Sequence, residues 1–436
     1  MGKGLKFDEM LDMLKATLAE IPEHRGGQNT QYEIMDAGLS AFSVFFMQSP
    51  SFLAYQREME RKKGQNNARS LFGVHEIPCD AQTRNLLDPV EPTRLGAPFW
   101  GGYARLAESG QLEEYRGIGG TWLVSLDGSQ YFSSRRIHCD NCRVAVQNEQ
   151  PIYSHQVLLA VLCAPEQEHV VCLEPEFIVP QDGEEKQDCE QQAMKRWIQR
   201  HATRFSPWRV TVLADDLHCH QPICEELLTH KMHFIMTCKP ESHPALYEEV
   251  ELLQRLKGGI STRTERRWDG RYHEQRVYRW VEQMPLRAGV DTLRVQWCEL
   301  TIVREETGER VYHNAWVTDH AVDEDTVAAV VASGRSRWKV ENEGFNVLKN
   351  QGYNFEHNYG HGSQHLSAVL VTLLLLAFLF HTALDLSSQA YQAVRRALAV
   401  RRTFFNDLRA LTRYLYFVGW EELVAFMYVG LELGST

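Results

Sequence analysis

Three acids and one Cys-x-x-Cys pair are the residues of this sequence whose types and spacing suit chemistry. Asp127 closes the apolar run TWLVSLD, Asp215 closes RVTVLAD, and Glu341 lies within SRWKVENEGFNVLK. Aspartates exposed where strands end are well placed to meet a ligand. Two of them and one helical glutamate make a hard oxygen set for two Mg²⁺ ions, with positions left open for water and phosphate oxygens. Such ions, about 3.5–4 Å apart, clamp the attacking and leaving oxygens of an in-line displacement at phosphorus. A plainer reading stands beside this one. Asp-Gly is a common turn, and Asp215 with Asp216 can cap the helix that follows.

The second constellation is HCDNC, His138 to Cys142. A Cys-x-x-Cys pair beside a histidine is half of a zinc site, and a structural zinc needs four ligands. No second close Cys/His pair follows at finger spacing, although a fold can bring His155, Cys189 or Cys219 near. The expectation is that Asp127 carries the chemistry and that the cysteines pack or brace the strand after it. Zinc at His138, Cys139 and Cys142 is the alternative. HNYGHGSQH places His357, His361 and His365 four apart, but Gly360 and Gly362 argue against a regular helix there. It is expected to be a helix-end and packing element.

The elements that must position these groups follow from pattern. The 436 residues are 44% hydrophobic and 24% charged, which suits a globular α/β chain with a sizeable core. Residues 1 to about 110 show helical spacing. After Gly119-Gly120 come three strand-like runs, ending with HQVLLAVLCAP and HVVCLEPEFIV. The helix QDCEQQAMKRWIQRHATRF follows, then strand, helix and strand in alternation. From Pro240 to Val311 the texture is β-rich, with EETGE as a hairpin turn. Helical sequence resumes through Glu341 and ends in a helical pair from about Leu384.

Charge and cysteine usage narrow the class. A net charge of -11 excludes a general basic nucleic-acid coat, though not an enzyme with a local positive path. Ten scattered cysteines suit a reducing cytoplasm. The N-terminus lacks the apolar core of a signal peptide. LSAVLVTLLLLAFLF, Leu366 to Phe380, is short of the roughly 20 apolar residues of a membrane span, so a buried core helix is expected.

LDGSQYFSSRRIHCDNC, VLADDLHCHQPICEEL and RSRWKVENEGFNVLKNQGYNFEHNYGHG, in this order, resemble the DDE transposases of bacterial insertion sequences. More narrowly they resemble the type with a β insertion between its second and third acids. The resemblance covers about residues 30 to 380. It implies a ribonuclease H-like catalytic core, a mixed sheet with helices, and Mg²⁺-dependent DNA cleavage and strand transfer, with Mn²⁺ able to substitute. It maps Asp127, Asp215 and Glu341 onto the catalytic, metal-binding triad, with Asp216 and Glu343 as rival neighbours. The family's third motif runs Tyr, two residues, Arg, three, Glu, six, Lys. Arg337 and Glu341 fit, Gly334 stands at the Tyr position, and the lysine is Lys349, one residue late. Arg337 and Lys349 would bind phosphates.

Arg135-Arg136, Arg263 to Arg267 and Arg395 to Arg402 are basic stretches that can track a DNA backbone. The expected organisation is a helical N-terminal region at 1–110 for DNA ends, and a catalytic core at 111–239 and 313–383. The core is interrupted by a β-rich insertion at 240–312 and followed by C-terminal helices at 384–436. The expected partners are element ends and target DNA, with a homodimer in the DNA complex and no membrane. The alternatives are a catalytically inactive DNA-binding relative and a zinc-binding regulatory protein.

Overall fold

The computed structural model describes residues 5–26, 31–59, 66–180 and 186–434, with the backbone alone for 186–189. Its centre is a long hairpin. Strand β1, Trp122–Ser134, runs antiparallel to β3, Gln150–Cys163, and Asp127 stands opposite Leu159. Asp127 therefore does not end its strand, as its Asp-Gly dipeptide suggests. The chain stays extended past Gly128, because the polar SQYFSS segment still has β3 to pair with, through a bulge between Gln130 and Phe132.

On its other edge β1 pairs in parallel with β6, Val210–Ala214, and β6 in parallel with β7, His233–Thr237. The far edge of β3 is lined in turn by β2 (Arg143–Gln147), β5 (Glu176–Ile178) and β4 (Val171–Cys172). HVVCLEPEFIV is thus two short strands rather than one. A hairpin, a short third antiparallel run and two parallel strands on the opposite side of β1 make a ribonuclease H-like mixed sheet. The crossover to β6 is α7, Lys186–His201, and that to β7 is α8, Gln221–Thr229. Apolar runs in β3 and β6 are fully buried, as strands covered on both faces must be.

The β-rich stretch extends this same sheet. After α9, Pro244–Gln254, come β8 (Ser261–Trp268), β9 (His273–Pro285), β10 (Arg294–Arg304) and β11 (Arg310–Thr318). Strand β11 pairs with β7, and β10, β9 and β8 follow outward, so the described residues form one eleven-stranded sheet. The outermost strand, β8, holds Arg263 to Arg267. Two of its arginines are paired, Arg263 with Glu265 at 2.5 Å and Arg266 with Glu305 at 2.8 Å. Charged residues on an open edge discourage pairing with a second sheet.

Helix α10, Val327–Arg335, packs on β7, β9 and β10. Gly334 is required there, since a Cβ would lie 2.8 Å from Trp316 Nε1 and 3.0 Å from Ile235 Cγ2. Trp316 occupies the space that a larger residue at 334 would need.

The N- and C-terminal helices form one body. Among the described residues, α1 (Phe7–Ala19), α2 (Ile34–Phe46), α3 (Phe52–Met59), α4 (Asn67–Phe72), α5 (Asp80–Leu87) and α6 (Ala97–Glu108) precede the sheet. The apolar helix α12, Leu366–Ser387, is buried from Leu366 to Leu384, with Ala368 alone half-buried, and packs against α2 and α6. Its length and composition pass the test for a membrane span, but its apolar surface is consumed inside the fold. Phe46 stacks on His381 at 4.1 Å and meets Trp420 at 4.9 Å. The expected C-terminal pair is three helices, α13 (Gln389–Ala397), α14 (Arg401–Tyr414) and α15 (Trp420–Gly430), because 398–400 breaks VRRALAVRR into two helices.

Candidate active site

The parallel register of β1 and β6 brings the first two acids together. Ser125 pairs with Leu213, and the same register carried two residues on sets Asp127 beside Asp215. Strand β6 ends at Ala214, so Asp127 faces the open space beyond a finished neighbour. Asp215 begins a turn there and accepts a hydrogen bond from Leu217 N at 3.1 Å. Asp216 turns away. It accepts hydrogen bonds from Lys239 N at 2.7 Å and from the Ser242 hydroxyl, with His243 Nε2 at 3.6 Å. Burial alone would raise its carboxyl, but these partners hold it below the ordinary range. Of the two neighbours, Asp215 keeps the freer carboxylate.

Glu341 enters from Val340–Phe345, a π-helical turn between a 3₁₀ turn at Ser336–Trp338 and α11, Asn346–Asn350. A π turn holds one more residue than an α turn and is frequent at functional sites. The extra residue accounts for Lys349 standing one place late, since it restores the phase of the helix that follows. Arg337 Nη1 lies 2.8 Å from Glu341 Oε1. Lys349 is paired outward, 2.9 Å from Glu356 Oε1.

Charge shows which groups converge. Burial pushes the Asp127 carboxyl up to about 7, opposed by Arg337 and reinforced by Glu341, Asp215 and Glu190. Asp215 and Glu341, from two further elements, thus both act on Asp127, with Arg337 among them. Glu341, rather than Glu343, is the glutamate of its turn whose charge stands among the largest on Asp127.

Glu190 is a fourth acid that the sequence reading missed. It sits on α7, buried, with its carboxylate against the backbone of Gly128. A Cβ at Gly128 would lie 2.5 Å from Glu190 Cδ. His218 Nε2 is 3.5 Å from Glu190 Oε1. A signal existed. Glu190 shares the buried face of its helix with Ala193, Met194, Trp197 and Ile198, and an acid at an apolar-face position is seldom there for packing.

The Cys-x-x-Cys pair is not isolated. Cys139 and Cys142 meet His155 of β3 and His361 of the segment before α12. His138 is elsewhere, exposed, stacked on Tyr153 at 4.4 Å with Nδ1 3.2 Å from Arg136 O. His138, which the alternative zinc set included, lies outside this group, and His361, expected as a packing residue, lies within it. Cys219 lies instead with Cys238 and His243, and the Cys189 side chain lies outside the described residues.

Residues 178–379 match the family model described as Transposase DDE domain. This part of the chain is similar to a transposase DDE domain. The match takes in Asp215, Glu341 and the added strands β8 to β11, and it begins after Asp127. Among solved structures, one described as the cryo-EM structure of piggyBac transposase synaptic complex with hairpin DNA is similar over 99% of this chain and 80% of its own. Its sequence identity is 11% and its TM-score 0.38, too loose a likeness to transfer any detail to this transposase domain. No curated protein matches the sequence.

Proposed function

We propose that this chain is the transposase of an insertion sequence. It cuts DNA strands at the element's ends and joins the freed 3′-hydroxyls to target DNA, with Asp127, Asp215 and Glu341 as the catalytic acids. The observation that carries this reading is that Asp215, Glu341, Glu190 and Arg337 all act on the buried Asp127 carboxyl, in a chain whose residues 178–379 are similar to a transposase DDE domain. A carboxylate whose proton affinity is raised by acidic neighbours fits a divalent cation, because a bound cation removes the repulsion.

Asp127, Asp215 and Glu341 would hold two Mg²⁺ ions, which supply a polarised scissile phosphate and an activated attacking oxygen. Mn²⁺ would substitute. The protein's own groups orient these parts. Arg337 is tied to Glu341 and offers its remaining N–H donors to a phosphate oxygen, where a charge-assisted hydrogen bond is strong. Lys349 would exchange its pairing with Glu356 for DNA backbone. Glu190 braces the strand at Gly128, and Asp216 fixes the loop after β7. DNA ends and target DNA are the partners, and a homodimer would hold two ends in the complex. The helical region at 1–110 would contribute to binding the ends, and the protein would act in the cytoplasm.

The test is nicking of labelled DNA taken from the flanks of its gene. Cleavage should require Mg²⁺ or Mn²⁺ and stop on chelation. Cleavage that persists in excess chelator would overturn the proposal.

A further inference from the structure

Four side chains from three separate parts of the chain point their ligating atoms at one buried point. Cys139 and Cys142 come from the turn after β1, His155 from β3, and His361 from the loop before α12. All four atoms lie within 4.8 Å of one another. The separations are Cys139 Sγ to Cys142 Sγ 3.9 Å, Cys139 Sγ to His155 Nε2 3.5 Å, and Cys142 Sγ to His155 Nε2 3.4 Å. Cys142 Sγ lies 3.3 Å from His361 Nε2, and the two Nε2 atoms lie 3.1 Å apart. A tetrahedral zinc with bonds of about 2.3 Å to sulfur and 2.0–2.1 Å to nitrogen has edges of about 3.8 Å between sulfurs, 3.6 Å from sulfur to nitrogen and 3.3 Å between nitrogens. Each of the five separations falls within a few tenths of an ångström of its edge. A disulfide would need its sulfurs about 2.0 Å apart, and both cysteines are free.

The surroundings hold these ligands in place. His361 Nδ1 lies 2.8 Å from Gly362 O, the hydrogen bond that leaves Nε2 a lone pair for a metal. The loop that carries His361 is clamped by Asp88, whose carboxylate accepts hydrogen bonds from Ser363 N, Gln364 N and Leu366 N at 3.0–3.1 Å. From the opposite side Asn141 Nδ2 donates to Gln364 O at 3.0 Å.

We infer that Cys139, Cys142, His155 and His361 form a closed structural Zn²⁺ site, independent of the carboxylate site and of the DNA-cleaving reaction. Four protein ligands leave no open position for water or substrate, so this metal does no chemistry. Its role is a clasp. The Asp127 hairpin supplies three ligands, and the segment that follows Glu341 supplies the fourth, 219 residues beyond Cys142. The ion joins the two halves of the core that carry the first and third acids.

The experiment is elemental analysis of the full chain produced with added zinc, beside the visible spectrum of the protein refolded with Co²⁺ alone. One zinc per chain is expected, with the d–d bands of tetrahedral cobalt bound to thiolate. His138→Ala should keep both signals. His361→Cys should keep the metal and shift the cobalt bands, while Cys142→Ser should lose stoichiometric zinc. Should Cys142→Ser fail to fold, the wild-type and His361→Cys spectra decide. A folded wild-type chain without zinc and without a tetrahedral cobalt spectrum overturns the inference. So does zinc retained in a folded Cys139→Ser, Cys142→Ser double variant.

Discussion

Arg337 Nη1 stands 2.8 Å from Glu341 Oε1, one helical turn along the chain, and the same guanidinium acts on Asp127. The third acid is thus held toward the first by a cation that belongs to the protein. Glu343, two residues on, points to another side of the π turn. Glu341→Gln should slow strand cleavage by roughly 10²–10³-fold or more, since several kcal/mol of charge stabilisation is lost at about 1.4 kcal/mol per tenfold. DNA binding should persist, because phosphate contacts elsewhere supply most of it. Glu343→Gln should keep a substantial part of the rate. Cleavage of labelled end DNA beside a gel-shift control measures both, and the reverse ranking would show that the register of the third motif is misassigned.

Glu190 tests whether the missed acid matters. Glu190→Gln keeps the packing against Gly128 and removes one charge acting on Asp127. The Mg²⁺ concentration that gives half-maximal cleavage should rise. Gly128→Ala should do more harm, because the added methyl displaces the Glu190 carboxylate from its place against the strand. An unchanged Mg²⁺ titration in Glu190→Gln would reduce Glu190 to a packing residue.

The acids also set a pH dependence. In metal-free protein Asp127 is pushed up to about 7, whereas an aspartate in the unfolded chain titrates near its ordinary value of about 4. The folded state therefore holds a proton that the unfolded state has released. That contribution to stability is full below about pH 4 and is lost as pH rises through about 7. A divalent cation competes with the same proton. The rise in Tm on adding Mg²⁺ should thus be larger at about pH 8 than at about pH 5.5, and Asp127→Asn should erase the difference. Equal shifts at the two pH values, read by scanning fluorimetry, would contradict this picture of the site.

The helical body makes a separate prediction. Asn67 on α4 is fully buried and bridges to the C-terminal region. Its amide donates to Thr412 O at 2.8 Å and Leu415 O at 2.7 Å, and its oxygen accepts from Phe417 N at 3.0 Å. Asn67→Ala leaves the Thr412 and Leu415 carbonyls and the Phe417 N–H without this partner and should cost roughly 2–4 kcal/mol. Chemical denaturation would reveal it. A loss under about 0.5 kcal/mol would mean that the N- and C-terminal helices are not held together through this residue.

Much of the architecture was legible because it rests on local pattern. The alternation of strand and helix around RVTVLAD and QPICEELL needs only apolar runs and caps, and α12 announces itself by composition. What stayed hidden depends on pairing across the chain. The extent of β1 past Asp127 is decided by β3, not by the Asp-Gly dipeptide. The π turn at Glu341 left a trace, the late Lys349, but only the backbone shows its cause. The alternative zinc set takes in His138 because it is adjacent in sequence. The histidines that meet the cysteines are one strand away, His155, and 219 residues from Cys142, His361. No spacing rule reaches that far.

The proposed metal site rests most directly on Asp127 of β1 and Asp215, which directly follows β6, the parallel neighbour of β1. The decisive measurement is single-turnover cleavage of labelled element-end DNA in Mg²⁺ by Asp127→Asn and Asp215→Asn, each shown to fold and to bind the DNA. Both should bind and fail to cut. Cleavage at the wild-type rate by either variant would contradict a metal site built on these carboxylates.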